Sequence, residues 1–221
     1  MERRYKAVVF DMDGVIFDSE KLVLEGWKEL AEKYGFQDID KVFYKCIGVN
    51  AVATKQIFLD YYGEDFPYDE YKKETSAAYH AKYDGGRLPQ KPGVKELLTF
   101  LKENGFKIGL ASSTRIAVVE QQIVDAGLRE YFDDLTGGDM LQKSKPEPDI
   151  YLMACEHLGV DPKEAIAIED SYNGIRSAYR AGMAPVMVPD MIGPDEEMER
   201  LSTKILADLY QVRAWMNCQV L

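Results

Sequence analysis

Four short apolar runs, at 7–10, 108–111, 165–168 and 185–188, constrain this chain more than any other feature. Each is continuous rather than alternating, as a strand covered on both faces must be. A weaker fifth run lies at 135–136. Between the later runs apolar residues recur with helical spacing. Val94, Leu97, Leu98 and Leu101 form one stripe, Ile116, Val119, Ile123 and Val124 a second closed by Gly127, and Ile150, Met153, Ala154 and Leu158 a third closed by Gly159. Strand and helix therefore alternate from residue 91 onward, which predicts an α/β fold with a Rossmann-like, doubly wound parallel sheet.

The first crossover breaks that rhythm. About 70 residues separate the strand at 7–10 from the helix that starts near Gly93, and a structureless loop of that length does not belong in a compact domain. The span carries helical stripes of its own: Leu22, Trp27, Leu30, Ala31 and Tyr34; then Ala53, Ile57, Phe58 and Tyr61; then Tyr68, Tyr71, Ala78 and Tyr79. We expect an inserted helical cap at 18–88, and a core made of 1–17 and 89–221. The insert's tyrosines are expected mainly to pack its own core. The tail beyond Pro189 reads as a solvated loop followed by an acidic helix start.

Composition narrows the function classes. The 221 residues hold 27 Lys plus Arg against 38 Asp plus Glu, a net charge of −11. That balance disfavours nucleic acid and an anionic membrane surface as partners. Cys46, Cys155 and Cys218 are widely spaced, and there are only two histidines. A zinc site or disulfide framework is not expected, and a cytoplasmic location is. Asp11 interrupts the N-terminal apolar run before a signal-peptide core could form, and no run of about 20 apolar residues predicts a membrane helix.

Ligands of open α/β sheets bind beyond the carboxyl ends of the strands. The first strand is followed by Asp11-Met12-Asp13-Gly14, the second by Ser112-Ser113-Thr114-Arg115, and the run at 165–168 by Glu169-Asp170-Ser171. Lys145 stands in "KSKPEPD", just before a helix. Taken singly, each segment also reads as turn or helix-cap chemistry. Taken jointly, they deliver acids, hydroxyls and a lysine to one sheet edge.

Acids gathered there would repel one another without a cation. All-oxygen donors select a hard ion, and few carboxylates with room for water and phosphate select Mg²⁺. The metal, Lys145, the Ser112 hydroxyl and the backbone N–H groups of the turn at Met12 and Gly14 would together receive a phosphoryl group. An ionised Asp11 could then attack phosphorus, while Asp13, two residues on along the same side of the chain, serves as general acid and then base.

The segments "DMDGVIFDSE", "LASSTR", "KSKPEPDIY" and "IAIEDSYNGIRSAYRAG" resemble, in order and spacing, the four signatures of the haloacid dehalogenase-like hydrolase superfamily. The branch they look most like holds β-phosphoglucomutase and the phosphoglycolate and sugar-phosphate phosphatases. The resemblance implies Asp11 as nucleophile and Asp13 as acid/base with its carbonyl on Mg²⁺. It implies Ser112, with neighbours Ser113 and Arg115, on the transferring phosphate, Lys145 balancing charge, Asp170 as metal ligand, and Glu169 as a ligand or an acceptor behind one. The metal set is thus Asp11, Asp13, Glu169 and Asp170.

Two departures favour hydrolysis over positional transfer. Val23 falls where the mutase branch carries a histidine, and Gly48 is followed by Val49-Asn50-Ala51 rather than by an arginine clamp. We therefore expect a Mg²⁺-dependent phosphatase for a small phosphorylated metabolite, a sugar phosphate, working as a monomer or weak homo-oligomer. A β-phosphoglucomutase-type enzyme is the alternative, and a non-catalytic phosphoacceptor module a more distant one. Lys21, Trp27, Asn50, Thr54, Lys55 and Arg115 are candidates for substrate selection.

Overall fold

The computed structural model describes residues 4–49 and 51–220. The apolar runs form β1 (Ala7–Phe10), β2 (Lys107–Ser112), β3 (Asp134–Gly137), β4 (Ala165–Glu169) and β5 (Ala184–Met187), and a two-residue β6 (Lys204–Ile205) closes one edge. The order is β3-β2-β1-β4-β5-β6, with every pair parallel. The chain order reverses between β1 and β4, so the crevice of this sheet opens where those two strands end.

Strand alternation assigns the two faces. Val8 and Phe10 pack, with Ile108, Leu110, Ile166 and Ile168, against α5 (Val94–Glu103), α6 (Ile116–Asp125) and α10 (Leu209–Val220). Ala7 and Val9 point the other way, with Ala111, Ala165 and Ala167, towards α7 (Asp149–Leu158) and α8 (Tyr172–Arg180). The small residues on that second face let α7 and α8 lie close to the sheet.

Four helices occupy the long first crossover: α1 (Ser19–Tyr34), α2 (Ile39–Tyr44), α3 (Ala51–Tyr62) and α4 (Tyr68–Tyr83). They bury an aromatic cluster of their own, in which the Trp27 ring centroid lies 4.6 Å from Phe58 and 5.9 Å from Tyr68. The two connections to the core run side by side. Asp18 N–H donates to Pro89 O at 3.0 Å, Lys91 N–H donates to Ile16 O at 2.8 Å, and Phe17 pairs antiparallel with Gln90. Asp190, from the loop after β5, accepts from Lys91 Nζ at 2.6 Å and Lys21 Nζ at 3.0 Å beside these connections.

The tail begins as expected, with a loop and the acidic first turn of a helix, and then goes further. After α9 (Glu196–Leu201) it adds β6 and α10, which were not expected, and Leu209, Val212 and Met216 of α10 are buried in the core. Two-residue β6 is too short to leave a pattern, and α2, at six residues, carries too little of one.

Candidate active site

The end of β1 delivers Asp11 because the strand continues to be held: Asp11 N–H donates to Ile168 O on β4 at 2.9 Å. The chain then turns sharply, with Met12 O accepting from Ile16 N–H at 2.8 Å and Gly14 N–H donating to Phe17 O at 2.9 Å. Gly14 adopts φ +80°, and a Cβ there would stand 2.3 Å from Asp170 Oδ2, so the turn and the acid at the end of β4 require each other's shape. The Met12 side chain points into the core, leaving only its main chain to face a ligand.

Lys145 organises the buried acids. Its ammonium donates to Asp11 Oδ1 at 2.5 Å, Glu169 Oε1 at 2.6 Å and Ala111 O at 3.1 Å, which uses its three protons. Glu169 is saturated in turn, since Oε1 also accepts from Tyr151 OH at 2.7 Å and Oε2 accepts from Ser171 Oγ at 3.1 Å and Ser171 N–H at 3.3 Å. Gly174 makes room for it, because a Cβ there would lie 1.9 Å from Glu169 Cδ. Asp13 accepts from Ser19 Oγ at 2.6 Å and Thr114 Oγ1 at 3.1 Å. Ser112 is buried at the end of β2, its Oγ accepting from Thr114 N–H at 3.1 Å.

The electrostatics are those of an anionic pocket short of positive charge. Burial raises the Asp11 carboxyl well above the ordinary range, against the pull of Lys145. Burial also works against the Lys145 ammonium, but Asp11 and Glu169 outweigh it and hold its pKa above the usual lysine value. Glu20, on the first turn of α1, is pushed up to about 8 by burial and then by Asp13 and Asp11, and its Oε2 is buried with no partner among the described residues. Asp170 is raised by burial and next by Glu20. Asp11, Glu169 and Asp170 each offer a carboxylate oxygen within 4.8 Å of the others. Glu169, expected as a ligand or an acceptor behind one, is spent on Lys145, Tyr151 and Ser171; buried Asp11 and Asp170, with one neutralising lysine and the orphaned Glu20 carboxylate nearby, fit a hard divalent cation.

These groups open into a cavity of about 670 Å³ between the sheet edge and the cap helices, lined by Asp11, Asp13, Glu20, Lys145 and Asp170 from below. Ser113 and Arg115 are exposed on the wall of the same cavity as the buried Asp11–Lys145 pair. Above it, Gly48 O accepts from Asn173 Nδ2 at 2.6 Å, so the loop after α2 rests on the start of α8.

Several expected selectors lie elsewhere. Trp27 is 2% exposed inside the cap's aromatic cluster, because its large apolar area is better covered there than in the cavity. Lys21 is tied to Asp18 and Asp190, and Lys55 pairs with Asp69 at 2.6 Å on the surface. Thr54 and Val23 do line the cavity. Asn50 lies outside the described residues. Sequence reasoning missed Ser19, Glu20, Thr114 and Tyr151. Ser19 and Glu20 stood in the quoted "FDSE", but the coil of α1's first turn, which swings them back over Asp13, was not readable from spacing.

Comparison with known proteins bears on this geometry. The haloacid dehalogenase-like hydrolase family model matches residues 8–188. The chain is 32% identical over 178 residues to the phosphorylated carbohydrates phosphatase of Thermotoga maritima, covering 80% of this chain and 82% of that one. It is 31% identical over 189 residues to hexitol phosphatase B of Escherichia coli K12, covering 85% of each. Among solved structures it resembles β-phosphoglucomutase of Clostridium difficile, with TM-score 0.76 and 25% identity over 98% of this chain and 97% of that one.

Proposed function

The chain belongs to the haloacid dehalogenase-like hydrolase family, and from that premise we propose that it is a cytoplasmic, Mg²⁺-dependent phosphatase that hydrolyses a small sugar phosphate through an aspartyl phosphate on Asp11. The class, a phosphoric monoester hydrolase, is that of its phosphatase relatives. The observation that carries the mechanism is the division of labour between two acids two residues apart: Asp11 is buried and held by Lys145, while Asp13 faces the cavity and, among the described residues, is held by the hydroxyls of Ser19 and Thr114.

Lys145 occupies Oδ1 of Asp11, which leaves Oδ2 as the attacking oxygen. Attack on phosphorus forms the Asp11–phosphorus bond and breaks the bond to the ester oxygen, which takes a proton from Asp13. Asp13, now ionised, removes a proton from water, and the water oxygen attacks phosphorus and displaces the Asp11 carboxylate, releasing phosphate. The main chain at Met12 and Asp13 and the Ser112 hydroxyl at the end of β2 hold phosphoryl oxygens; the Gly14 N–H, expected to join them, is instead spent on Phe17 O, and Lys145, whose protons go to Asp11, Glu169 and Ala111, contributes its charge. Asp11, Asp170 and the Asp13 carbonyl would hold Mg²⁺, with saturated Glu169 behind them. When bound, the ion supplies the positive charge that offsets the acids and the phosphoryl oxygens.

Val23 places no imidazole beside Asp13, whose partners are Ser19 and Thr114, and this favours hydrolysis over a mutase cycle. The test is a phosphate-ester panel with Mg²⁺, followed by acid quench and borohydride reduction during turnover. Conversion of residue 11 to homoserine, read by peptide mass, supports the covalent route. Turnover with Asp11 unmodified points to direct attack by water and overturns it.

A further inference from the structure

The cap meets the core in two kinds of place. Ser19, Lys21 and Gly85 bond across the boundary to Asp13, Asp190 and Asp125, and each stands beside one of the two connections. Gly48 is different. It follows α2, far along the chain from both connections, and its carbonyl accepts from Asn173 Nδ2 on α8 at 2.6 Å. The approach is close: Gly48 has φ +71°, and a Cβ there would stand 3.0 Å from Ser171 Cβ, so the missing side chain lets this loop settle on the start of α8.

Asn173 is set for that contact from behind, by residues of the core alone. Its Oδ1 accepts from Arg176 Nη1 at 3.1 Å. Arg176 is fixed in turn by Glu197 of α9, whose Oε1 accepts from Nε at 3.0 Å and Oε2 from Nη2 at 2.5 Å. A guanidinium only donates and a main-chain carbonyl only accepts, so a single orientation of the Asn173 amide serves both neighbours. The seat also lies next to the chemistry, since Gly48 and Val49 line the cavity together with Asp170 and Ser171.

We infer that Asn173 is a positioning residue for the cap: held by the Arg176–Glu197 pair, its amide seats the Gly48 loop and so fixes the cavity wall beside Asp170. The inference goes beyond hydrolysis itself, because it concerns where the cap rests, and its main test needs no substrate. The sequence hid the contact, since Asn173-Gly174 behind a strand reads as turn chemistry.

Pulsed EPR distances test it, with spin labels on Gln56→Cys, exposed on α3, and Glu156→Cys, exposed on α7. The background is Cys218→Ser, in which the two remaining native cysteines are buried. With Asn173 intact one narrow distance is expected. Asn173→Asp turns an oxygen instead of an N–H towards Gly48 O, and a second, longer distance should appear. An acid in the first turn of α8, beside Arg176, favours that helix, so unfolding does not mimic the result. Asn173→Ala should show the longer component more weakly, and so should Arg176→Lys, which lacks the fork that serves Glu197 and Asn173 together. On the ester hydrolysed best, Asn173→Ala should raise KM about fivefold at nearly constant kcat, as loss of one hydrogen bond does when substrate must reseat the cap.

A broad distribution with Asn173 intact, distances unmoved in Asn173→Asp, or an unchanged KM in Asn173→Ala overturns the inference and leaves the phosphatase reading standing. Hydrolysis of no ester overturns that reading instead, and the distances alone then decide for or against the seat.

Discussion

Ser19, the first residue of α1 in the cap, donates its hydroxyl to Asp13 Oδ1 at 2.6 Å across the junction with the core. In the mechanism proposed above, the acid that serves the leaving group is thus oriented by a residue of the cap. Any movement of α1 relative to the core would change the setting of Asp13, and the proposed mechanism would then link cap position to acid catalysis through one hydrogen bond.

Ser19→Ala tests that link. Loss of one hydrogen bond to a charged group should lower kcat about tenfold, with little change in KM, because Thr114 still holds the other oxygen. Steady-state kinetics on an ester with a poor leaving group reads the effect. A smaller loss is expected with p-nitrophenyl phosphate, whose leaving oxygen needs little proton transfer; equal losses on both would count against an acid-positioning role.

Removing the cation between Asp11 and Glu169 should damage both folding and activity. Lys145→Ala leaves two buried carboxylates facing each other, and breaking a buried ion pair from one side costs about 3–5 kcal/mol. Proton uptake by Asp11 relieves part of that, so denaturant unfolding should show a loss near the lower bound, about 3 kcal/mol, with activity down by about 10³-fold or more.

Two glycine substitutions should move stability in opposite directions. Gly174→Ala places Cβ 1.9 Å from Glu169 Cδ, and the clash should exceed the gain of about 1 kcal/mol that alanine brings to a helix, giving a net loss of about 3 kcal/mol. Gly26→Ala, within α1 with nothing inside 4 Å of the added Cβ, should gain about 1 kcal/mol. Chemical denaturation measures both.

The raised carboxyls predict how metal and pH interact. Without metal, Glu20 is pushed up to about 8, and Asp11 and Asp170 are raised as well, by burial first in each case. A folded-state pKa above the unfolded one means that the native protein keeps protons that the unfolded chain releases above about pH 4. The metal-free protein should therefore lose stability as pH rises from about 5 to about 8. Metal binding displaces those protons, so the rise in Tm on adding Mg²⁺ should grow over the same window. Thermal unfolding in EDTA and in excess Mg²⁺ measures both slopes, and a Mg²⁺ effect that shrinks with rising pH would contradict the assignment of this cluster to a cation.

Much of the site was written locally. The continuous apolar runs at 7–10 and 165–168 demanded strands covered on both faces, and polar residues at their carboxyl ends had one place to go, the crevice edge. Asp11, Asp13, Ser112 and Asp170 follow from that, as does a helical insertion between the first strand and the rest. Lys145 joined that edge by its place just ahead of a helix, but its role beside Asp11 needed the family likeness, because a lysine ahead of a helix carries no directional signal of its own.

What tertiary structure alone decided is which way the cap's helices face and which acids already have partners. Helical spacing put Trp27 on one stripe of α1 and Tyr79 on one stripe of α4, but spacing specifies only that a stripe is shared, not what lies against it. Packing sent Trp27 into the aromatic cluster with Phe58 and Tyr68 and left Lys72 and Tyr79 on the cavity wall. In the same way, Glu169 and Asp170 are adjacent in sequence and chemically alike. Only the approach of Lys145, Tyr151 and Ser171 from three different elements saturates the first, while Gly14 keeps the second in place at the crevice.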